Sequence, residues 1–130
     1  MFIDASALVA ILLEEDEGRS LAQRIETASV RLTSPLAIYE AVTAVNRVHA
    51  GGIKLAEARV RAFLQRAGIA VLVIEDTAAT SALEAQARFG KRSTHPAKLN
   101  MGDCFACAMA KQHRVRLLYK GDDFAQTDLA

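Results

Sequence analysis

A chain of 130 residues, 52% hydrophobic and 5% aromatic with no Trp, carries enough apolar material for one core of Ala, Leu, Val and Ile, read as a single domain over residues 1–130. Its 24% of charged residues and net charge of +1 exclude a self-repelling disordered chain and do not by themselves announce nucleic acid. No apolar run reaches the length of a membrane span, and Asp4 breaks the apolar start with no basic segment before it, so neither membrane anchor nor signal peptide is expected and the location is read as cytoplasmic.

Met1-Phe2-Ile3 predicts a very short first strand, ended by Asp4. Ser6 to Leu13 repeats apolar residues too densely for a solvent-facing helix, so that helix is expected to pack on several sides. The polar break Glu14-Glu15-Asp16-Glu17-Gly18 precedes a helix to about Ala28, with Leu21, Ile25 and Ala28 on one face. Val30 to Thr33 reads as a second strand. Ser34 is placed as a cap and Pro35 at the start of a helix that turns Ile38, Val42, Val45 and Val48 inward and ends before Gly51-Gly52. Leu55 to Ala67 predicts a helix closed by Gly68.

Ala70-Val71-Leu72-Val73-Ile74 reads as the strongest strand, and its unbroken apolar character predicts burial on both faces. Asp76 or Thr77 would cap a helix over Ala78 to Arg88, and Phe89 to Leu99, aperiodic and basic, would be the longest loop, mobile or substrate-facing. A helix over Asp103 to Gln112, a strand over Val115 to Tyr119 and the turn Gly121-Asp122-Asp123-Phe124 complete the chain. This alternation predicts a small α/β domain with a mainly parallel sheet flanked by helices. Cys104 and Cys107 have C-x-x-C spacing without a second ligand pair, so they read as core thiols in a reducing compartment.

Chemistry is suggested by acids that interrupt apolar stretches at strand–helix junctions: Asp4, Glu40, Asp103 and the pair Asp122-Asp123. Each has a plainer reading, as a helix cap for Asp4 and Asp103, a surface Glu for Glu40, and turn residues for Asp122 and Asp123. Taken together they suit a hard divalent cation, which takes oxygen ligands and offsets the repulsion among clustered carboxylates. Such an ion activates water, orients a phosphate and stabilises a departing oxygen, which points to phosphodiester hydrolysis. His49, His95 and His113 share no ligand spacing, and no Gly-rich phosphate loop is present. From Lys91 to Lys120 there are seven Lys or Arg and one acid, Asp103, which reads either as a solvated basic face or as a surface that accepts phosphates.

Four segments carry a family resemblance: Phe2-Ile3-Asp4-Ala5-Ser6-Ala7, Ser34 through Glu40, Leu99-Asn100-Met101-Gly102-Asp103-Cys104-Phe105-Ala106, and Leu118-Tyr119-Lys120-Gly121-Asp122-Asp123-Phe124 with Thr127-Asp128 behind it. From residue 1 to about 129 the chain resembles PIN-domain ribonucleases, in particular the VapC-type toxins of bacterial VapBC toxin–antitoxin pairs. The resemblance implies a PIN-like three-layer sandwich, and it maps Asp4, Glu40 and Asp103 onto the family's metal-binding acids. The fourth acid falls at Asp122 or Asp123, with Asp122 preferred. Ser6 is expected to support the site by hydrogen bonding and Asn100 to order the loop before Asp103. Tyr39 and Arg47 read as structural or substrate-lining.

The function so implied is an endoribonuclease dependent on Mg²⁺ or Mn²⁺, acting on transfer RNA or another translation-related RNA and neutralised by a cognate VapB-type antitoxin. Lys91, Arg92, Lys98 and Lys120 are candidates to hold the RNA backbone. A homodimer is expected, with DNA contacted only through the antitoxin. The competing readings are a PIN nuclease acting on DNA and a PIN-fold binding module that has lost its chemistry.

Overall fold

Phe2 and Ile3 set the plan of the fold, because neighbouring residues of a strand point to opposite faces. Phe2 joins one apolar cluster and Ile3 the other, and both are wholly buried. The computed structural model describes residues 1–122 and 124–128. Its strands are β1 (Phe2–Ile3), β2 (Leu32–Thr33), β3 (Ala70–Val71) and β4 (Leu117–Leu118), in the sheet order β3-β2-β1-β4 with every pairing parallel. The register sets Phe2 beside Leu32 and Leu117, and Ile3 beside Leu118. Thr33, buried on β2, donates its hydroxyl to the Ile3 carbonyl at 2.9 Å and ties the two central strands.

Between the strands run α1 (Ala5–Leu12), α2 (Gly18–Thr27), α3 (Pro35–Val48), α4 (Gly52–Arg66), α5 (Asp76–Phe89) and α6 (Met101–Gln112). The chain steps from β1 to β2 to β3 in one direction, then returns across the sheet to β4. Crossovers between parallel strands are right-handed, so reversing the direction of travel moves the connecting helices to the other face. Accordingly α1 to α4 pack with Ile3 and Leu118, while α5 and α6 pack with Phe2 and Leu117. The result is the expected helix–sheet–helix sandwich. The reversal leaves a crevice at the carboxyl ends of β1 and β4, where open parallel sheets bind ligands.

Local signals explain the helix starts. Asp4 caps α1 and Ser34 caps α3, its Oγ accepting from Ala37 N at 3.2 Å, with Pro35 in the first turn where its missing N–H costs nothing. Asn100 caps α6, so that helix begins two residues before the expected Asp103, and Asp103 stands within its first turn instead of capping it. At α5 the cap position is Glu75, without a side-chain cap bond, and Asp76 is already helical.

The largest departure concerns residues 70–74. Only Ala70 and Val71 form β3, and it is an edge strand, exposed rather than buried on both faces. Leu72 and Ile74 pack on the second cluster, whereas Val71 and Val73 are 44% and 72% exposed. An apolar run does not reveal whether both of its faces will be covered. The segment 90–99 is irregular, pinned by Leu99 N donating to the Phe89 carbonyl at 2.8 Å and by the Phe89–His95 ring contact. Cys104 and Cys107 are buried among α5 and α6, and burial pushes the Cys107 thiol up to about 12.

Candidate active site

Asp4 leaves β1 at the crevice, with its backbone N–H donating to Leu118 O at 2.9 Å, and the residue is only 5% exposed. Its Oδ2 accepts from Ser6 N at 2.9 Å and from Ser6 Oγ at 2.5 Å. Ser6 Oγ in turn accepts from the Lys120 backbone N at 3.1 Å. Ser6 thus links the end of β1 to the segment after β4 and holds the Asp4 carboxylate in one orientation.

Asp103 is fixed by a reciprocal cap: Asn100 N donates to its Oδ2 at 2.8 Å, and Asp103 N donates to Asn100 Oδ1 at 3.0 Å. This satisfies donors at the start of α6 that the helix itself cannot. The positive end of the helix also favours the negative charge there. Glu40 comes from the middle of α3, half-buried between exposed Tyr39 and buried Ala41. Its carboxyl is pushed up to about 7, first by burial, then by the charges of Asp4 and Asp103. Burial is the larger cause, and the two carboxylates add to it because like charges disfavour a further ionised acid beside them.

The three acids line one cleft of about 420 Å³ together with Ser6, Asn100 and Lys120. The cleft is also lined by Arg47, read from the sequence as structural or substrate-lining, and by Glu15 and Thr43, which sequence reasoning did not assign to a site. Thr43 and Arg47 follow Glu40 by three and seven positions, so the helical period placed them on its face and could have found them. Lys120 Nζ donates to Glu15 Oε2, and that bond raises the Lys120 pKa. The cleft is therefore an acidic centre with two cations at its margin.

Lys91, Arg92 and Lys98 do not line this cleft; they are exposed on the 90–99 segment, where Lys98 Nζ donates to the Ser93 carbonyl at 2.7 Å. Asp122 lines a neighbouring cleft of about 510 Å³ with Glu17, Arg24, Arg116 and Tyr119. That second cleft is the larger, but Asp4, Glu40 and Asp103 lie together in the first. Asp123 lies outside the described residues.

Among the described residues no three His, Cys, Asp or Glu side chains form a ready-made metal cage. The donor set nevertheless fits a hard cation: Asp4, Glu40 and Asp103 present oxygens only, and a Mg²⁺ ion keeps several waters beside one or two carboxylates. The raised Glu40 pKa means that these charges repel, and a divalent ion would relieve that repulsion. Among the described residues, no helix is long and apolar enough to cross a membrane.

Comparison with known proteins agrees with this geometry. The PIN domain family model matches residues 1–129. A VapC ribonuclease of Rhizobium meliloti is 42% identical over 98% of this chain and 98% of its own length. Ribonuclease VapC28 of Mycobacterium tuberculosis is 35% identical over 98% of this chain and 93% of its own. The crystal structure of Mycobacterium tuberculosis VapC20, described as a sarcin-ricin loop cleaving toxin, superposes with a TM-score of 0.78 at 17% identity, covering 99% and 95% of the two chains, a likeness of fold. With its family match running nearly end to end and its acids gathered at the switch point of the sheet, the chain belongs to the PIN-domain family, in its VapC ribonuclease branch.

Proposed function

We propose that the protein, as one PIN domain over residues 1–130, is a metal-dependent endoribonuclease toxin of the cytoplasm. The observation that carries this reading is the convergence of Asp4, Glu40 and Asp103, from three separate elements, on one cleft. These three would hold Mg²⁺ or Mn²⁺, with the fourth acid supplied by Asp122 or Asp123. When bound, such an ion supplies Lewis acidity and an activated water for cleavage of the RNA phosphodiester.

The chain's own residues supply the rest. Ser6 and Asn100 hold two of the carboxylates in place. Arg47 and Lys120 at the margin of the cleft attract the RNA backbone, with Lys91, Arg92 and Lys98 extending the basic surface. The substrate proposed is transfer RNA or another translation-related RNA; the relatives' names support RNA as the class and specify no particular RNA.

An antitoxin of VapB type is the proposed inhibitor. An acidic cleft is a natural receptor for a guanidinium group, whose planar donors match carboxylate oxygens. Excess Mg²⁺ should then weaken the complex; a complex with its metal fully bound and no basic side chain near Asp4 or Asp103 would rule this mode out.

The central test replaces Asp4 or Asp103 by Asn. Each variant should fold, since an Asn side-chain oxygen can still accept the backbone bond that Asp4 takes from Ser6 N and Asp103 from Asn100 N, and each should lose RNA cleavage and Mn²⁺ affinity in calorimetric titration. Affinity unchanged in both variants would sink the shared metal site. Activity on DNA in place of RNA would favour the DNA-nuclease reading.

A further inference from the structure

Gly102 bears no functional group, yet the space of its absent side chain is already taken. A Cβ built on it would overlap Oε1, Oε2 and Cδ of Glu40, closer than real Cβ atoms approach their neighbours. The backbone gives no other reason for glycine there. Gly102 is not among the residues with positive φ, and it lies in the first turn of α6, where alanine is the better helix former. The glycine therefore serves its neighbour.

We propose that Gly102 is a positioning residue: its missing side chain is the seat in which the Glu40 carboxylate rests against the first turn of α6, beside Asp103. This rests on the reading above that Glu40 helps hold the metal. A carboxylate on a long side chain has many rotamers, and the seat selects one that points into the cleft. It also brings that charge to the positive end of α6.

The clash with an added methyl falls on the far end of a flexible side chain, not on backbone. Alanine at 102 can therefore be accommodated by swinging the Glu40 carboxylate out of the cleft, at no cost to the fold. Function and stability should part company.

The experiment measures Mn²⁺ binding by calorimetry, RNA cleavage, and the melting temperature in chelator for the full chain and for G102A, E40Q, their double variant, and G102A combined with E40D. G102A should melt no lower than the parent while Mn²⁺ affinity falls roughly 10- to 100-fold, the range for lost support of a metal ligand. In the E40Q background G102A should cause no further loss, because both changes remove the same carboxylate. Shortening the acid in G102A/E40D should restore part of the affinity, which a merely structural glycine would not allow.

Affinity within about twofold of the parent in G102A, with E40Q impaired, would overturn the role of Gly102 while leaving the metal site standing. A G102A loss that adds fully to that of E40Q, or a G102A chain that fails to fold, would equally overturn it. An E40Q variant with parental affinity would instead remove the underlying reading of Glu40 as a metal-holding acid.

Discussion

Glu40 makes the metal-free protein a pH-dependent structure, and the sign follows from its raised pKa. Burial, and secondarily the charges of Asp4 and Asp103, push its carboxyl from the ordinary 4.5 up to about 7 in the folded chain. Between these values the folded state binds more protons than the unfolded one, so stability falls as pH rises. The favourable contribution is complete below about pH 4.5 and is lost as pH passes through about 7. At ~1.4 kcal/mol per pKa unit the upper bound is about 3 kcal/mol. Glu40 remains partly open to solvent, which screens the effect to about 1–2 kcal/mol.

Glu40→Gln abolishes that titration. Thermal melts in chelator between about pH 5 and 8 should show the parent losing roughly 4–8 °C with rising pH while E40Q stays nearly level. Adding Mn²⁺ should reverse the order at the upper end, because a metal stabilises the deprotonated cluster and binding stabilises the fold by mass action. A parent that melts at the same temperature across that range, or an E40Q variant with the parent's slope, would refute the raised pKa of Glu40.

Two further outcomes are expected. Exposed apolar side chains at Tyr39 (67%), Val73 (72%) and Leu83 (66%) leave surface that a second copy could cover, and the protein is proposed to be a homodimer. Light scattering on the antitoxin-free protein at micromolar concentration that returned only the 14.0 kDa monomer mass would exclude the dimer. Cys107, with its thiol pushed up to about 12 by burial, should resist alkylation in the native state and react only after unfolding. Rapid labelling of Cys107 without loss of structure would contradict its place in the core.

Much of the local structure was legible in the sequence because its causes are local. Ser34-Pro35 starts α3 through a side-chain cap and a fixed φ, and Asp4 caps α1, so a few residues determine each start. The alternation of strands and helices likewise predicted a parallel sheet, and Phe2 with Ile3 form a strand whose two sides both become core. The acids Asp4, Glu40 and Asp103 stood out because each interrupts apolar sequence, which is costly unless the charge has a use.

Tertiary structure decided what depends on neighbours far along the chain. Ala70 to Ile74 carried the strongest strand pattern, yet only Ala70 and Val71 pair, at the edge of the sheet, and the run's burial is one-sided: Leu72 and Ile74 pack on the second cluster while Val71 and Val73 stay exposed. Arg47 entered the acid cleft, and Asp122 a different one, through helix packing and the path of the chain after β4. The meaning of Gly102 was equally hidden. A glycine in a helix reads as a mere weakness until Glu40, sixty-two positions earlier, is seen to fill the volume its side chain would have taken. Residue types and spacing determined which groups could do chemistry; only packing, through excluded volume and the distance dependence of charge, decided which of them meet.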